Sequence, residues 1–255
     1  MPIVRIGTGL IYYAHVPKCG GTSVEDYLRA RFGRLALLDK TYMKQSLAAR
    51  WSVTSAQHID WASLSRMIPP DFFAASFGVV RHPVARMISS YHFQVQVEKA
   101  VSPEVPFSDW LSEQARIVHE NPFFADNHLR PQADFIGEDC TIFHLEHGLD
   151  AIIPYLDRLA GNQDGPRAVR HDNKQAGPKQ APVSPGAADI ALIERVYAAD
   201  FARFGYRTDQ KMPLTAAPDL DPGLLTEAKA ARARAARRLP RILTRIKRRL
   251  RRWLD

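Results

Sequence analysis

Residues 10–32 constrain the fold more than any other part of the chain, because they join an apolar run, a glycine-containing turn and an amphipathic segment. The run from Leu10 to Val16 is rich in β-favouring side chains and stops at Pro17, which predicts a strand. From Ser23 to Phe32 the apolar side chains recur at helical spacing. The predicted order is therefore strand, tight loop and helix.

The loop between these two elements has the composition of an anion-binding turn. It contains Lys18, and the neighbouring glycines Gly20 and Gly21 let the backbone approach a ligand closely. Thr22 and Ser23 place two hydroxyl groups where the free N–H groups of a helix start would point. The lysine, the backbone donors and the positive end of the helix dipole would converge on one spot, which suits a phosphate or a sulfonate.

The order of residues in this loop argues against a nucleotide triphosphatase. A Walker loop places its lysine directly after its last glycine, whereas Lys18 precedes both glycines here. The stretch Pro-Lys-Cys-Gly-Gly-Thr-Ser instead resembles the 5′-phosphosulfate loop of sulfotransferases that use 3′-phosphoadenosine-5′-phosphosulfate (PAPS). The resemblance implies that the donor is bound by Pro17, Lys18, Cys19, Gly20, Gly21, Thr22 and Ser23.

A second motif follows about 60 residues later at another predicted strand-to-helix junction. A strand is predicted from Phe72 to Val80, and a helix from Pro83, whose fixed φ suits a first helical position. Residues 81–91 match R-x-P-x-x-R-x-x-S-x-Y, and the two motifs together resemble carbohydrate sulfotransferases of the Golgi type and their bacterial relatives. The resemblance assigns Arg81 and Ser89 to the 3′-phosphate of the donor, and an arginine fork beside a hydroxyl can surround such a dianion.

Two later segments extend the resemblance over about residues 8–208. Residues 127–135 resemble a His-Trp-Arg-Pro-Gln stretch of the family, with Leu129 in place of the tryptophan. The implied acceptor contacts are His128, Arg130 and Gln132, and the alternative is a loop that only packs beside the nucleotide helix. Residues 161–187 lack periodicity and predict a long loop, which the resemblance places over the bound nucleotide, with Arg170, Asn173 and Lys174 as contacts.

Sulfuryl transfer needs an in-line acceptor oxygen, a group that takes its proton, and positive charge on the departing phosphate. Lys18 is the candidate for stabilising the bridging oxygen. His58 is the candidate base, because it follows a predicted strand end where heparan 2-O-type members place a catalytic histidine, and an imidazole with a pKa of about 6.5 accepts a proton at neutral pH. Other candidates for the base are His128, Asp60 and Glu146. No metal is expected, since the spacing of His144 and His147 matches no zinc signature.

The pattern of elements predicts an α/β, P-loop-like three-layer fold with a central, mostly parallel sheet flanked by helices. Further predicted elements are short apolar pieces at 35–38 and 53–56, a weak helix at 42–50, helices at 61–68, 107–118, 148–159 and 190–201, and a strand at 140–145. We expect a sulfotransferase domain at 1–208, a Pro-containing linker at 209–222 and a basic helical tail at 223–255.

The tail carries most of the positive charge. Residues 229–255 contain twelve Lys or Arg and one Asp, so their net charge is +11 against +8 for the whole chain, which leaves −3 for residues 1–228. An apolar stripe in residues 240–254 predicts an amphipathic helix on an anionic membrane surface, and packing on its own domain or on a second subunit is the alternative. Nucleic acid is not expected, because no aromatic platform or groove-reading motif accompanies the charge.

The expected activity is transfer of a sulfuryl group from PAPS to a hydroxyl of a saccharide or glycolipid, with 3′-phosphoadenosine-5′-phosphate (PAP) as product. A nucleotide-dependent small-molecule kinase of related fold and a non-catalytic, membrane-docked nucleotide-binding module are the alternatives. Only two cysteines and no signal peptide or membrane span are present, which predicts a cytoplasmic protein, with peripheral binding to the inner membrane face.

Overall fold

The computed structural model describes residues 1–170 and 182–215 of the chain. Two predicted nucleotide contacts, Asn173 and Lys174, lie outside these residues. So do the predicted tail, 223–255, and the second half of the predicted linker. The domain boundaries stay predictions.

A four-stranded sheet forms the centre of the described structure, with β1 at Ile3–Ile6, β2 at Gly9–Ala14, β3 at Ala75–Val80 and β4 at Thr141–His144. The strands lie in the order β1-β2-β3-β4. β1 pairs antiparallel with β2, whereas β2 pairs parallel with β3 and β3 parallel with β4. The predicted α/β fold with a mostly parallel sheet is therefore confirmed. Because carboxyl ends of parallel strands meet at one edge, the residues that follow β2, β3 and β4 come together.

The α-helices agree closely with the helical spacing of the sequence. They are α1 at Gly21–Phe32, α2 at Trp61–Met67, α3 at Pro83–Phe93, α4 at Phe107–Glu120, α5 at Ile152–Ala160, α6 at Ala187–Val196 and α7 at Ala198–Phe204. A π-helical turn, Gln94–Glu98, continues α3. The helix predicted at 190–201 is divided into α6 and α7 at Tyr197, whose hydroxyl donates to the Leu129 carbonyl at 2.7 Å.

The segment between α1 and α2 differs most from the prediction. Within the apolar piece at 35–38, only Ala36 pairs with the sheet, through a bridge to Ile3. The weak helix at 42–50 is two 3₁₀ turns, Tyr42–Lys44 and Leu47–Ala49. The strand end predicted before His58 does not form: residues 53–55 are irregular and lead into the 3₁₀ turn Ala56–His58, and Val53 is 71% exposed.

The core lies on both sides of the sheet and is rich in aromatic side chains. Tyr12, Tyr13, Phe77 and Phe143 are fully or almost fully buried, and the rings of Tyr13 and Phe77 stack with centroids 5.0 Å apart. Burying such large apolar surfaces supplies the main driving force for folding. Within residues 1–170 and 182–215, no helix combines the length and apolar character that crossing a membrane requires.

Both cysteines are buried free thiols. Cys19 lies in the loop after β2, and Cys140 directly precedes β4. Burial raises the pKa of each thiol to about 12, so both are protonated at neutral pH.

Candidate active site

The loop between β2 and α1 has the backbone geometry of an anion site. Lys18 and Gly20 both have positive φ, +67° and +82°. A left-handed lysine is sterically disfavoured, whereas glycine adopts this conformation without strain. Among the described residues, no side chain caps the start of α1. Its first backbone N–H groups, which have no partner within a helix, are therefore available to an anion.

Gly21 is the first residue of α1, and the ring of His15 occupies the space that a side chain at Gly21 would need. A Cβ at this position would lie within 2.5 Å of three atoms of the His15 ring. The ring is also fixed on its other side, where Nδ1 lies 2.5 Å from Oε1 of the buried Glu25. The second glycine of the loop thus leaves space for a buried imidazole behind the predicted phosphosulfate site.

The second predicted phosphate contact lies directly beside the first loop. Arg81 follows β3, is half-buried, and its Nη1 donates to the Lys18 carbonyl at 3.3 Å. Ser89 is half-buried two turns into α3. The fold therefore brings the two motifs to one edge of the sheet, although Lys18 and Arg81 are 63 residues apart.

Gln132 is fully buried and uses its whole side-chain amide within the protein. Its Oε1 accepts from the Arg81 backbone N–H at 2.8 Å and from the Cys19 thiol at 3.2 Å. Its Nε2 donates to the Arg81 carbonyl at 2.8 Å and to Asp200 at 3.2 Å. Two acceptor and two donor positions are the full capacity of an amide. Gln132 thus holds the two predicted phosphate motifs together and has no free group for an acceptor.

The Lys18 side chain lies in a half-buried position beside α3. Its Nζ is 3.5 Å from the centre of the Phe93 ring, a favourable cation–π contact. Burial lowers the pKa of Lys18 to about 8, while the nearby carboxylate of Glu98 acts in the opposite direction. Phe93 ends α3 and Glu98 ends the π-helical turn, a local irregularity that is frequent at functional sites.

His58 lies at the end of a 3₁₀ turn, Ala56–His58, and is only 4% exposed. Its Nδ1 lies 2.7 Å from Oδ2 of Asp126. Its ring contacts two other histidines, with centroid distances of 4.7 Å to His15 and 4.9 Å to His128. Burial and the positive charge on neighbouring groups lower the pKa of His58 well below its usual value, so the ring is neutral and can accept a proton.

His128 lies between the ring of His58 and that of Phe93, which it stacks against at 5.7 Å. Its Nδ1 donates to the Ala125 carbonyl at 2.6 Å, and burial lowers its pKa to about 3. The rings of His58, His128 and Phe93 therefore form a continuous row that ends at the Lys18 ammonium.

Arg130, Asp60 and Glu146 are each engaged in bonds within the protein. Arg130 pairs with Asp134 at 2.7 Å and with Asp60 at 3.3 Å. Asp60 also caps the start of α2. Glu146 accepts from the backbone N–H of His82 and from the hydroxyl of Tyr206. Asp60 and Glu146 therefore have structural partners, whereas the ring nitrogen Nε2 of His58 has a single, longer contact, 3.3 Å to the amide nitrogen of Gln57.

Arg86 connects the loop after β2 to the segment 128–130, and the sequence did not predict this role. It is fully buried. Its Nε donates to the Pro17 carbonyl at 3.1 Å, and its Nη2 donates to the carbonyls of His128 and Arg130 at 2.9 and 2.8 Å. The arginine in the middle of the second motif was the available signal. Arg170, the remaining described candidate, is exposed at the last residue before the undescribed segment.

The ligand atoms of His58, Asp126 and His128 lie within 4.8 Å of one another, close enough to hold a metal ion. However, Oδ2 of Asp126 is bonded to Nδ1 of His58, and Nδ1 of His128 donates to Ala125. Both Asp126 oxygens also accept bonds from Ser55. We interpret the group as a hydrogen-bond network, and the expectation that no metal is needed stays a prediction.

Comparison with known proteins identifies a family for most of this structure. The model of the sulfotransferase family matches residues 3–207, which include every strand and α-helix described above. The comparisons with curated proteins and with solved structures returned no match.

Proposed function

The chain belongs to the sulfotransferase family, and we propose that it transfers a sulfuryl group from PAPS to a hydroxyl of a saccharide or glycolipid acceptor. One observation carries the proposal: the two predicted anion-binding junctions are in contact, through the bond from Arg81 to the Lys18 carbonyl, and a row of rings connects Lys18 to the neutral, buried His58. Phosphate and sulfonate groups at the two ends of one donor would be held by these junctions. The acceptor hydroxyl would then be deprotonated by His58.

In the proposed donor complex, residues 17–23 surround the 5′-phosphosulfate and Arg81 and Ser89 surround the 3′-phosphate. Support comes from the unpaired N–H groups at the start of α1 and from the half-buried guanidinium of Arg81. Arg170 would add a surface contact, as would Asn173 and Lys174 outside the described residues. The acceptor would lie near His128 and Arg130.

The proposed reaction is a single in-line displacement. The acceptor oxygen forms a bond to sulfur while the bond between sulfur and the bridging phosphate oxygen breaks, and PAP leaves with the electron pair. Lys18 stabilises the charge that develops on the bridging oxygen. The proton of the acceptor hydroxyl passes to Nε2 of His58.

Replacement of the proposed base tests this function. His58→Ala should lower kcat by about 10² to 10⁴ and leave the affinity for PAP unchanged, because the ring acts on the acceptor and not on the donor. The measurements are transfer of labelled sulfate to a panel of glycans and glycolipids, and isothermal titration with PAP. His128→Ala is compared in the same assays, because His128 is the next candidate for the general base. Near-normal turnover in His58→Ala would assign the base elsewhere.

A thermal-shift measurement separates this proposal from the two alternative functions. Stabilisation by PAP and none by ATP would exclude a small-molecule kinase. Stabilisation by PAP without transfer to any acceptor would favour a non-catalytic binding module.

We also propose that the protein is cytoplasmic and binds the inner membrane face through residues 240–254. The support is the charge of +11 in residues 229–255 beside an apolar stripe, both read from the sequence. Such a location would suit a lipid-linked saccharide as acceptor.

A further inference from the structure

The most unusual backbone beside His58 is a turn of three successive left-handed residues. Ala125, Asp126 and Asn127 have φ values of +50°, +55° and +62°. Asp and Asn adopt this conformation more often than other residues with a Cβ, but as single residues, so a run of three that begins at an alanine is unusual. Backbone strain of this kind persists where the surrounding structure requires a particular side-chain placement.

This turn places two side chains, those of Asp126 and Asn127, in contact with His58. The Asp126 carboxylate, 6% exposed, lies 2.7 Å from Nδ1 of the His58 ring. The side-chain amide of the fully buried Asn127 donates to the His58 carbonyl at 2.8 Å. One turn therefore fixes both the ring and the main chain of a residue 68 positions earlier in the sequence.

The Asp126 carboxylate is itself held in place by Ser55. It accepts the Ser55 backbone N–H at 2.6 Å and the Ser55 hydroxyl at 2.8 Å. Burial raises the pKa of this carboxyl, whereas the two bonds from Ser55 act in the opposite direction and favour its ionised form. An ionised carboxylate can only accept, so the hydrogen on Nδ1 of His58 must point at Asp126. The Gln57 amide nitrogen, 3.3 Å from Nε2, fits the same tautomer, because it donates to an unprotonated nitrogen.

We propose that Asp126 is the positioning residue for His58: its carboxylate binds Nδ1–H and so leaves Nε2 as the nitrogen that accepts the acceptor's proton. This assignment rests on the proposed function, in which His58 is the base. Asp126 itself touches neither donor nor acceptor in this scheme.

The surroundings of His58 explain why the carboxylate is needed during the reaction. When Nε2 takes the hydroxyl proton, the acceptor oxygen bonds to sulfur and the ring becomes an imidazolium. The other titratable groups that act on this ring are His15, Lys18 and the N-terminal amine, and all three disfavour its positive charge. His128, whose ring lies 4.9 Å away, has no net negative charge to offer. Asp126 supplies that compensating charge through the bond to Nδ1.

Asp126→Asn tests the assignment, because it keeps the shape of the side chain and removes the charge and one acceptor. We expect kcat to decrease by about 10² to 10⁴, as when a base is left in the wrong tautomer, with the KM for PAPS unchanged. The ¹⁵N chemical shifts of the His58 ring should show the Nδ1–H tautomer in the wild type and a shift toward Nε2–H in the variant. Asp189→Asn is the matched control: this buried carboxylate also accepts a serine hydroxyl, that of Ser108, and a backbone N–H, that of Gly186, and its removal should change neither the rate nor the His58 shifts.

A folded Asp126→Asn with wild-type kcat, or with unchanged His58 nitrogen shifts, would overturn the assignment. If Asp126→Asn does not fold, Ser55→Ala gives the answer, because it removes one bond to the carboxylate and keeps its charge. We expect a several-fold lower kcat with unchanged PAP affinity, and a wild-type rate would overturn the proposal. If the wild type transfers sulfate to no acceptor, the proposed function fails, while the nitrogen shifts still decide whether Asp126 sets the His58 tautomer.

Discussion

Gly21→Ala should damage the predicted phosphosulfate loop, residues 17–23, through His15 and not through the backbone of α1. The added methyl would lie within 2.5 Å of three ring atoms of His15, where 3.0 Å is the shortest contact that real Cβ atoms make. Even the farthest of these atoms must therefore recede by about 0.5 Å. The ring cannot recede freely, because Nδ1 is held 2.5 Å from the buried Glu25.

The size of the effect follows from these contacts. Overpacking a buried site costs about 1–3 kcal/mol, and weakening a buried hydrogen bond to a charged group costs about 1.5–3 kcal/mol. We expect the free energy of unfolding to decrease by about 3 kcal/mol, which in a domain of this size lowers Tm by roughly 6–12 °C. PAP affinity should decrease as well, since the first turn of α1 moves with the methyl group.

Urea denaturation of the wild type, Gly21→Ala, His15→Ala and the double variant shows whether the destabilisation by Gly21→Ala depends on His15. His15→Ala alone is destabilising, because it leaves Glu25 buried without its ring partner. In that background Gly21→Ala should be neutral or stabilising by up to about 1 kcal/mol, the ordinary preference of a helix for alanine over glycine. An equal loss of unfolding free energy from Gly21→Ala in both backgrounds would show that His15 is not the cause.

Three further predictions concern charge. Lys18→Ala should lower turnover more than donor affinity. Arg81→Ala should weaken PAP binding by about 1.5–3 kcal/mol. An unchanged PAP affinity of Arg81→Ala in calorimetric titrations would remove the assignment of Arg81 to the 3′-phosphate. Burial lowers the pKa of both His58 and His128. The free energy of unfolding should therefore be highest above pH 6.5, about the pKa of histidine in the unfolded chain, and should decrease as the pH is lowered. The decrease is up to about 1.4 kcal/mol per pH unit for each ring. Urea denaturation between pH 7 and 5 measures this change in the free energy of unfolding. His128→Leu should make the free energy less dependent on pH. A wild-type free energy that does not change with pH would contradict the neutral state of the two buried rings. Truncation after Pro222 should abolish sedimentation with anionic liposomes and preserve PAP binding, and an intact chain that ignores such liposomes at low salt would exclude the membrane proposal.

The parts of the site that could be predicted from the sequence are those encoded by neighbouring residues. Lys18 with its two glycines, and Arg81 before Pro83, each occupy a local strand-to-helix pattern, and the parallel sheet then brings the two patterns together. The expected mostly parallel fold follows from the same spacing. The piece at 53–56 forms no strand, because β-branched residues such as Val53 also occur on exposed turns, where no partner strand is present.

The residues that connect the patterns could not be predicted, because their contacts span long stretches of chain. Asp126 reaches His58 across 68 positions, and Arg86 reaches the carbonyl of Pro17 across 69. Asp126 has no local signature, since a single Asp fits an exposed surface equally well. Arg86 lies within the second motif, but the spacing of that motif does not encode its distant partners. The family resemblance of residues 127–135 made Gln132 a candidate for acceptor binding, and its complete burial depends on packing that spacing does not encode.

The two buried thiols give this protein a pair of intrinsic chemical reporters. Thiol reagents attack the thiolate, and a pKa of about 12 at Cys19 and Cys140 leaves almost none of it in the closed structure. Labelling at either position therefore counts the molecules in which that region has opened. Cys19 lies in the predicted phosphosulfate loop and donates to Gln132, whereas Cys140 directly precedes β4. Comparing the two labelling rates would separate opening of the donor site from opening of the sheet, without adding a probe to the chain.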